Sequence, residues 1–321
     1  MDKVLEEIEK IGIVPVIKID DAGKAVPLAK ALIAGGIPCA ELTFRTSSGE
    51  EAIRRISGEV PGILVGAGTV LTTDQVDRAI KAGAKFIVSP GLNPRIVSYC
   101  IEKGIPVTPG CASPSDIEKA LEFGLEVVKF FPAEQTGGLD YIKAIAAPYT
   151  TLKFMPTGGI NQGNIAKYIA FDKILACGGS WMVNADLINA GDFDKITALC
   201  REAVLNMLGF SVVHLGINTE NEEQALKAAN TLGFFFGFNS KNGNSSVFSS
   251  DSIELMKSPY LGKNGHIGVG THSVFRAKSY LERQGVEFNR DSIKTDAKGA
   301  ITAVYLKEEI AGFAVHLVAK K

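Results

Sequence analysis

Short apolar runs rich in β-branched residues recur at 13–17, 39–44, 64–69, 86–90, 106–110, 127–131, 153–158 and 174–179, with amphipathic helical spacing between them. Helix punctuation agrees with this count. Ser113-Pro114-Ser115-Asp116 reads as a cap with an acidic first turn, and Gly83, Gly104 and Gly124 read as helix ends. Strand and helix alternating eight times before residue 207 predict an α/β fold, a compact (β/α)8 TIM barrel. An open doubly wound sheet is the competing architecture. Both place function at the carboxyl ends of the strands.

The pattern changes after a helix over 195–205. From 210 onward the chain reads as two similar halves, each a strand, a helix and three further strands. Runs at 212–217 and 266–270 open the halves, helices over 222–232 and 273–284 follow, and period-two strands at 252–256 and 313–317 close them. This is an internal duplication, and it predicts two domains, 1–207 and 208–321, the second a smaller α+β domain of two βαβββ units.

At 321 residues, 46% hydrophobic and 21% charged, the chain has enough apolar material for two cores, and its net charge of −1 gives no global attraction to nucleic acid or anionic membrane. Small molecules are the expected partners. The first eight residues look like an acidic amphipathic helix rather than a secretory signal, and no apolar run reaches spanning length, so the cytoplasm is the expected compartment. The five cysteines contain no C-x-x-C pair and read as small buried apolar residues. All four histidines fall after residue 210, which excludes histidine bases and histidine-bound zinc from the first domain. Lysine and carboxylate chemistry remain.

Lys129 interrupts the apolar run Val127-Val128-Lys129-Phe130-Phe131-Pro132, where a charge has no ordinary structural reason to be. A neutral lysine amine in an enclosed pocket attacks ketones to form a Schiff base. A lysine that snorkels to a strand end or pairs with a carboxylate is the plainer alternative. At the strand ends stand Glu41, Thr43, Arg45, Thr69, Ser89, Thr157 and Ser180. Spacing by two puts Glu41, Thr43 and Arg45 on one face, either as a proton acceptor and an anion clamp or as a structural Glu–Arg pair. Gly158-Gly159 and Gly178-Gly179-Ser180 follow the seventh and eighth strands, where barrels often bind phosphate through backbone amides.

Six blocks in order carry a resemblance: Glu41-Leu42-Thr43-Phe44-Arg45-Thr46, Gly66-Ala67-Gly68-Thr69-Val70, Ser89-Pro90-Gly91, Thr108-Pro109-Gly110-Cys111, Lys129-Phe130-Phe131-Pro132-Ala133-Glu134 and Pro156-Thr157-Gly158-Gly159-Ile160. Together they resemble the 2-dehydro-3-deoxy-6-phosphogluconate (KDPG) aldolases and the 4-hydroxy-2-oxoglutarate (KHG) aldolase activity those proteins often share. The resemblance runs from about residue 3 to 207. It implies a class I aldolase without a cofactor or metal, acting on 2-oxo acids as a homotrimer built through the barrel. Lys129 would form the Schiff base, Glu41 would move protons, and Thr157 would stand near the electrophile and govern facial choice. Arg45 and Thr69 would hold the pyruvyl carboxylate, and Gly158, Gly159, Gly179 and Ser180 would receive phosphate. Pro90 and Phe131 complete the substrate-binding set, and strand alternation lets only one of Phe130 and Phe131 face the pocket. A sugar-acid-phosphate binding or regulatory protein, its second domain sensing a metal or metabolite, is the competing reading.

The duplicated second domain resembles the vicinal-oxygen-chelate superfamily, which includes glyoxalase I and extradiol dioxygenases. The resemblance implies metal ligands on the first and last strands of each half, here His214, Glu254, His266 and His316. Three imidazoles and a carboxylate suit zinc, nickel or iron. Two features depart from the pattern: His316 stands where a glutamate is usual, and the loop 241–246 is short and polar. Ordinary polar positions in a non-catalytic module are the alternative. His272, opening the following helix, is expected to cap it or face solvent.

Overall fold

The computed structural model describes residues 1–320 and divides into two compact units, Met1–Met207 and a second beginning at Leu208. In the first unit, eight parallel strands, β1 (Ile13–Ile17), β2 (Cys39–Thr43), β3 (Leu64–Gly68), β4 (Ile87–Ser89), β5 (Val107–Cys111), β6 (Val127–Phe130), β7 (Lys153–Pro156) and β8 (Cys177–Gly179), lie in the order β7-β6-β5-β4-β3-β2-β1-β8. Parallel bridges from Phe154 to Ile174 and from Thr157 to Gly178 close β7 onto β8, giving a (β/α)8 barrel. Helices alternate with the strands, as the sequence pattern predicts.

The strands are buried on both sides, which accounts for their near-continuous hydrophobicity. Local chemistry sets the helix ends. Ser113 and Asp116 form a reciprocal capping box at the helix Pro114–Glu122. Gly83 ends the helix Thr73–Ala82 in the left-handed conformation. All five cysteines are buried, and burial pushes the Cys100, Cys111 and Cys200 thiols up to about 12, so they act as packing residues.

The second unit is one eight-stranded mixed sheet. Its first half comprises β9 (Ser211–Asn218), the helix Glu222–Phe236, β10 (Ser240–Asn242), β11 (Ser246–Ser249) and β12 (Ile253–Met256). Its second half comprises β13 (Gly265–Thr271), the helix Val274–Arg283, β14 (Lys294–Thr295), β15 (Ile301–Tyr305) and β16 (Phe313–Ala319). Each half is a βαβββ unit, and the halves join through antiparallel pairing of β9 with β13. Each closing strand runs parallel to its opening strand, β12 beside β9 and β16 beside β13. The first-half helix packs Ala225 and Ala229 on Val247 and Leu255. That helix continues to Phe236, four residues past the expected end, and the loop expected at 241–246 is a hairpin turn between β10 and β11. Ser273, not His272, caps the second helix, and His272 is exposed. Among the described residues no helix is long and apolar enough to cross a membrane.

Candidate active site

Lys129 lies on β6 with Gly110 and Met155 as its cross-strand neighbours, and it is 5% exposed. Its Nζ is 3.6 Å from Oε1 of Glu41, which projects from β2 and is 1% exposed. Neither Glu41 oxygen has a hydrogen-bond partner among the described residues. Isolated burial of either charge would be costly, so each makes the other tolerable. The same proximity gives a proton a short path between amine and carboxylate.

Alternation along β6 resolves the two phenylalanines. Phe130 is fully buried against Tyr141 of the helix Gly138–Ala146, whereas the Phe131 ring centroid lies 5.3 Å from Lys129 Nζ. Phe131 is also one wall of a cavity of about 400 Å³ at the carboxyl ends of the strands. Arg45, Thr43, Thr157, Gly158, Gly159, Gly179 and Ser180 line the same cavity. Gly158 and Gly159 both have positive φ, at 97° and 80°, a conformation that favours glycine and turns the loop after β7.

Four expected residues are not among the cavity's lining: the buried pair Lys129 and Glu41, and Thr69 and Pro90. Thr69 accepts a hydrogen bond from Arg45 Nε at 3.3 Å and holds a φ of 58°, a strained state for a β-branched residue. Pro90 is exposed, and its carbonyl stands where a Cβ on Gly110 would have to go, 1.9 Å away. Thr43 donates to the Ile17 carbonyl at 2.9 Å and Ser89 to the Gly91 carbonyl at 2.8 Å, both local roles. The cavity also contains Lys18, Trp181 and Asn184, which the sequence pattern did not single out. Lys18 follows directly after β1, so its position past a strand end was the available signal.

In the second unit the four expected ligands converge from β9, β12, β13 and β16. The three imidazoles offer nitrogens that all lie within 4.8 Å of one another. His214 Nε2 is 3.0 Å from His316 Nε2, and Glu254 Oε2 is 3.1 Å from His266 Nε2 and 3.7 Å from His214 Nε2. Ser246 donates to the other Glu254 oxygen at 2.6 Å. Burial alone would raise the Glu254 carboxyl, but hydrogen bonds from His266 and Ser246 hold it below its ordinary value. Burial, reinforced by the neighbouring imidazoles, lowers His316 to about 3, and burial also lowers His214. Burial thus favours the neutral form of His214 and His316, the form in which an imidazole nitrogen can ligate a divalent cation. Tyr305 stacks on His316 with ring centroids 4.6 Å apart, fixing that ring's plane.

A closed barrel whose strand ends gather a buried lysine–carboxylate pair under a cavity with glycine-rich walls defines a barrel enzyme equipped for lysine chemistry. The KDPG and KHG aldolase family model matches residues 4–199, more than half of the chain, and the chain belongs to that family. It is 52% identical over 204 residues to a 2-dehydro-3-deoxy-phosphogluconate aldolase of Treponema pallidum, covering 64% of this chain and 97% of the relative. Among solved structures, a KDPG aldolase of Legionella pneumophila with pyruvate captured as a covalent carbinolamine is 37% identical with a TM-score of 0.60, covering 62% of this chain and 97% of its own. The 2-keto-3-deoxy-6-phosphogluconate aldolase of Zymomonas mobilis with 3-phosphoglycerate is 40% identical with a TM-score of 0.58, covering 62% and 94%.

Proposed function

We propose that the first unit cleaves 2-dehydro-3-deoxy-6-phosphogluconate to pyruvate and glyceraldehyde 3-phosphate, and 4-hydroxy-2-oxoglutarate to pyruvate and glyoxylate, through a Schiff base on Lys129. The buried Lys129–Glu41 pair carries this reading. The family assignment supports an aldolase over a binding or regulatory protein.

Proton transfer from the Lys129 ammonium to Glu41 leaves a neutral amine, which attacks the substrate C2 carbonyl. The carbonyl oxygen takes a proton from the attacking amine, and Glu41 returns its proton as the hydroxyl leaves as water, giving an iminium and restoring the Glu41 carboxylate. Its positive nitrogen draws the electron pair of the C3–C4 bond as that bond breaks. The C4 hydroxyl proton passes to the Glu41 carboxylate, in part through water, and C4 leaves as the aldehyde. C3 of the resulting enamine takes a proton, and water adds at C2 to release pyruvate and restore the amine. Thr157, 6% exposed and seated in the cavity wall, stands near the electrophile and governs facial choice. Arg45, oriented by Thr69, clamps the carboxylate, while Gly158, Gly159, Gly179 and Ser180 receive phosphate. Phe131 keeps water from the amine, and Pro90 borders the substrate path. The chemistry requires no cofactor.

Borohydride reduction in the presence of pyruvate tests the reading: one pyruvyl adduct on Lys129 is expected, and none in Lys129→Ala. Full cleavage activity in Lys129→Ala would refute it. A cytoplasmic location and a homotrimer complete this reading, and Leu71 and Ile101, 54% and 48% exposed on the barrel, offer apolar surface for assembly.

A second reading rests on the four converging side chains of the other unit. It is a module of the vicinal-oxygen-chelate kind in which His214, Glu254, His266 and His316 hold one divalent cation. The donor set of three imidazoles and a carboxylate fits zinc, nickel or iron. When bound, such an ion supplies Lewis acidity. The chain's own part is to orient the rings, through Tyr305 on His316 and Ser246 on Glu254.

A further inference from the structure

The cavity in the barrel has two cations in its lining, Lys18 and Arg45, and no carboxylate. The proposed substrate has two anionic ends, a carboxylate and a phosphate. Arg45 is bonded to Thr69, on the β2–β3 side. Across β1, the lining at Gly158, Gly159, Gly179 and Ser180 carries groups able to hydrogen-bond an anion but no full positive charge.

Strand pairing places Lys18 to supply it. β1 lies between β8 and β2, with Pro15 opposite Gly179 and Ile17 opposite Leu42. The chain leaves β1 at Lys18, beside the Gly179-Ser180 turn on one flank and Thr43 on the other. Its side chain is about half exposed, at 48%, and its ammonium rests 2.9 Å from Oδ1 of Asp20. Asp20 also accepts from Asn189 Nδ2 at 3.5 Å. An exposed ion pair of this kind is weak and exchanges readily for a stronger anion. A phosphate dianion, doubly charged and rich in acceptor oxygens, is such an anion.

We infer that Lys18 is the cation of the phosphate subsite and sets the preference for phosphorylated over unphosphorylated 2-oxo acids. The inference rests on the aldolase reading and deepens it. Asp20 holds the ammonium at the mouth of the cavity until the phosphate arrives, and Lys18 then bridges to it. 4-Hydroxy-2-oxoglutarate has no phosphate, and its distal anion, the C5 carboxylate, is three bonds nearer the cleaved C3–C4 bond than the phosphorus would be, so it falls short of this contact.

The test compares Lys18→Met and Lys18→Arg with the parent on 2-dehydro-3-deoxy-6-phosphogluconate and 4-hydroxy-2-oxoglutarate. In Lys18→Met, KM for the phosphorylated substrate should rise about tenfold to a hundredfold with little change in kcat, the effect of losing one charge-assisted contact. The kcat/KM ratio between the two substrates should fall at least about tenfold, and Lys18→Arg should recover most of it. Inorganic phosphate should inhibit the parent competitively and Lys18→Met at least about tenfold more weakly. Equal losses on both substrates, or an unchanged ratio, would overturn the inference. Failure of the aldolase reading looks different, since no pyruvyl adduct would then form on Lys129 in the parent protein.

Discussion

The carboxylate of Glu41 occupies the space above Gly68 on the neighbouring strand, where a Cβ would come within 2.1 Å of Oε1. The missing side chain lets the carboxylate lie across β3 and reach Lys129. Gly178 makes the same room for Thr157, whose Oγ1 would be 2.3 Å from a Cβ there. The second unit repeats the device: the His266 ring lies over Gly216 and the His214 ring over Gly268, with Cβ clearances of 2.0 and 2.3 Å. Chemistry-bearing side chains in both units rest on glycines of adjacent strands.

Gly68→Ala should therefore displace Glu41 and damage catalysis more than folding. A fall in kcat of roughly tenfold to a hundredfold is expected if the carboxylate shifts by about an ångström. Circular dichroism should show a folded protein. Unchanged kcat in a folded variant would mean that Glu41 does not work from this position.

Glu41→Gln keeps the shape and removes the proton acceptor. We expect kcat for cleavage to fall roughly 10²- to 10⁴-fold, while slow borohydride trapping of pyruvate on Lys129 persists. Trapping and cleavage should thus separate in this variant, as they would not if Glu41 served only to neutralise a buried charge.

Phe130 and Phe131 are adjacent in sequence but have different surroundings. Phe130→Ala empties a fully buried site and should cost about 3–5 kcal/mol by denaturant unfolding. Phe131→Ala, at a half-buried position on the cavity wall, should cost less stability and more activity. Comparing unfolding midpoints with kcat/KM in the pair checks the assignment of faces.

The second unit should bind one divalent ion per chain. Zinc or nickel at 100 times its dissociation constant should stabilise it by about 2.7 kcal/mol, readable as a rise in Tm. His266→Ala should abolish the rise, and Gly216→Ala, which crowds the His266 ring without removing a ligand, should weaken it. Less than about a tenth of an equivalent of metal after loading would count against the site.

Much of this was legible along the chain. The eight apolar runs predicted the barrel, because a strand buried on both faces has to be apolar wherever it lies. Lys129 stood out for the same reason. Spacing by two grouped Glu41, Thr43 and Arg45 on one face: Glu41 and Thr43 are both buried, and Thr43 and Arg45 both line the cavity. Strand ends were less legible: the runs at 86–90 and 174–179 contain strands of three residues each, because pairing rather than propensity ends a barrel strand. Lys18 went unmarked, since a lysine after a strand looks the same in sequence whether it meets solvent or a cavity.

The sequence by itself determined the alternation of elements, the duplication after residue 210, and the residue types available for chemistry, since periodicity and composition are local properties of the chain. Only the tertiary structure decided which groups meet. Glu41 and Lys129 are far apart in sequence yet 3.6 Å apart in space, and His214 and His316, 102 positions apart, have nitrogens at 3.0 Å. Those distances depend on barrel closure, strand register and the glycines that leave room, and none of these is a property of a single segment.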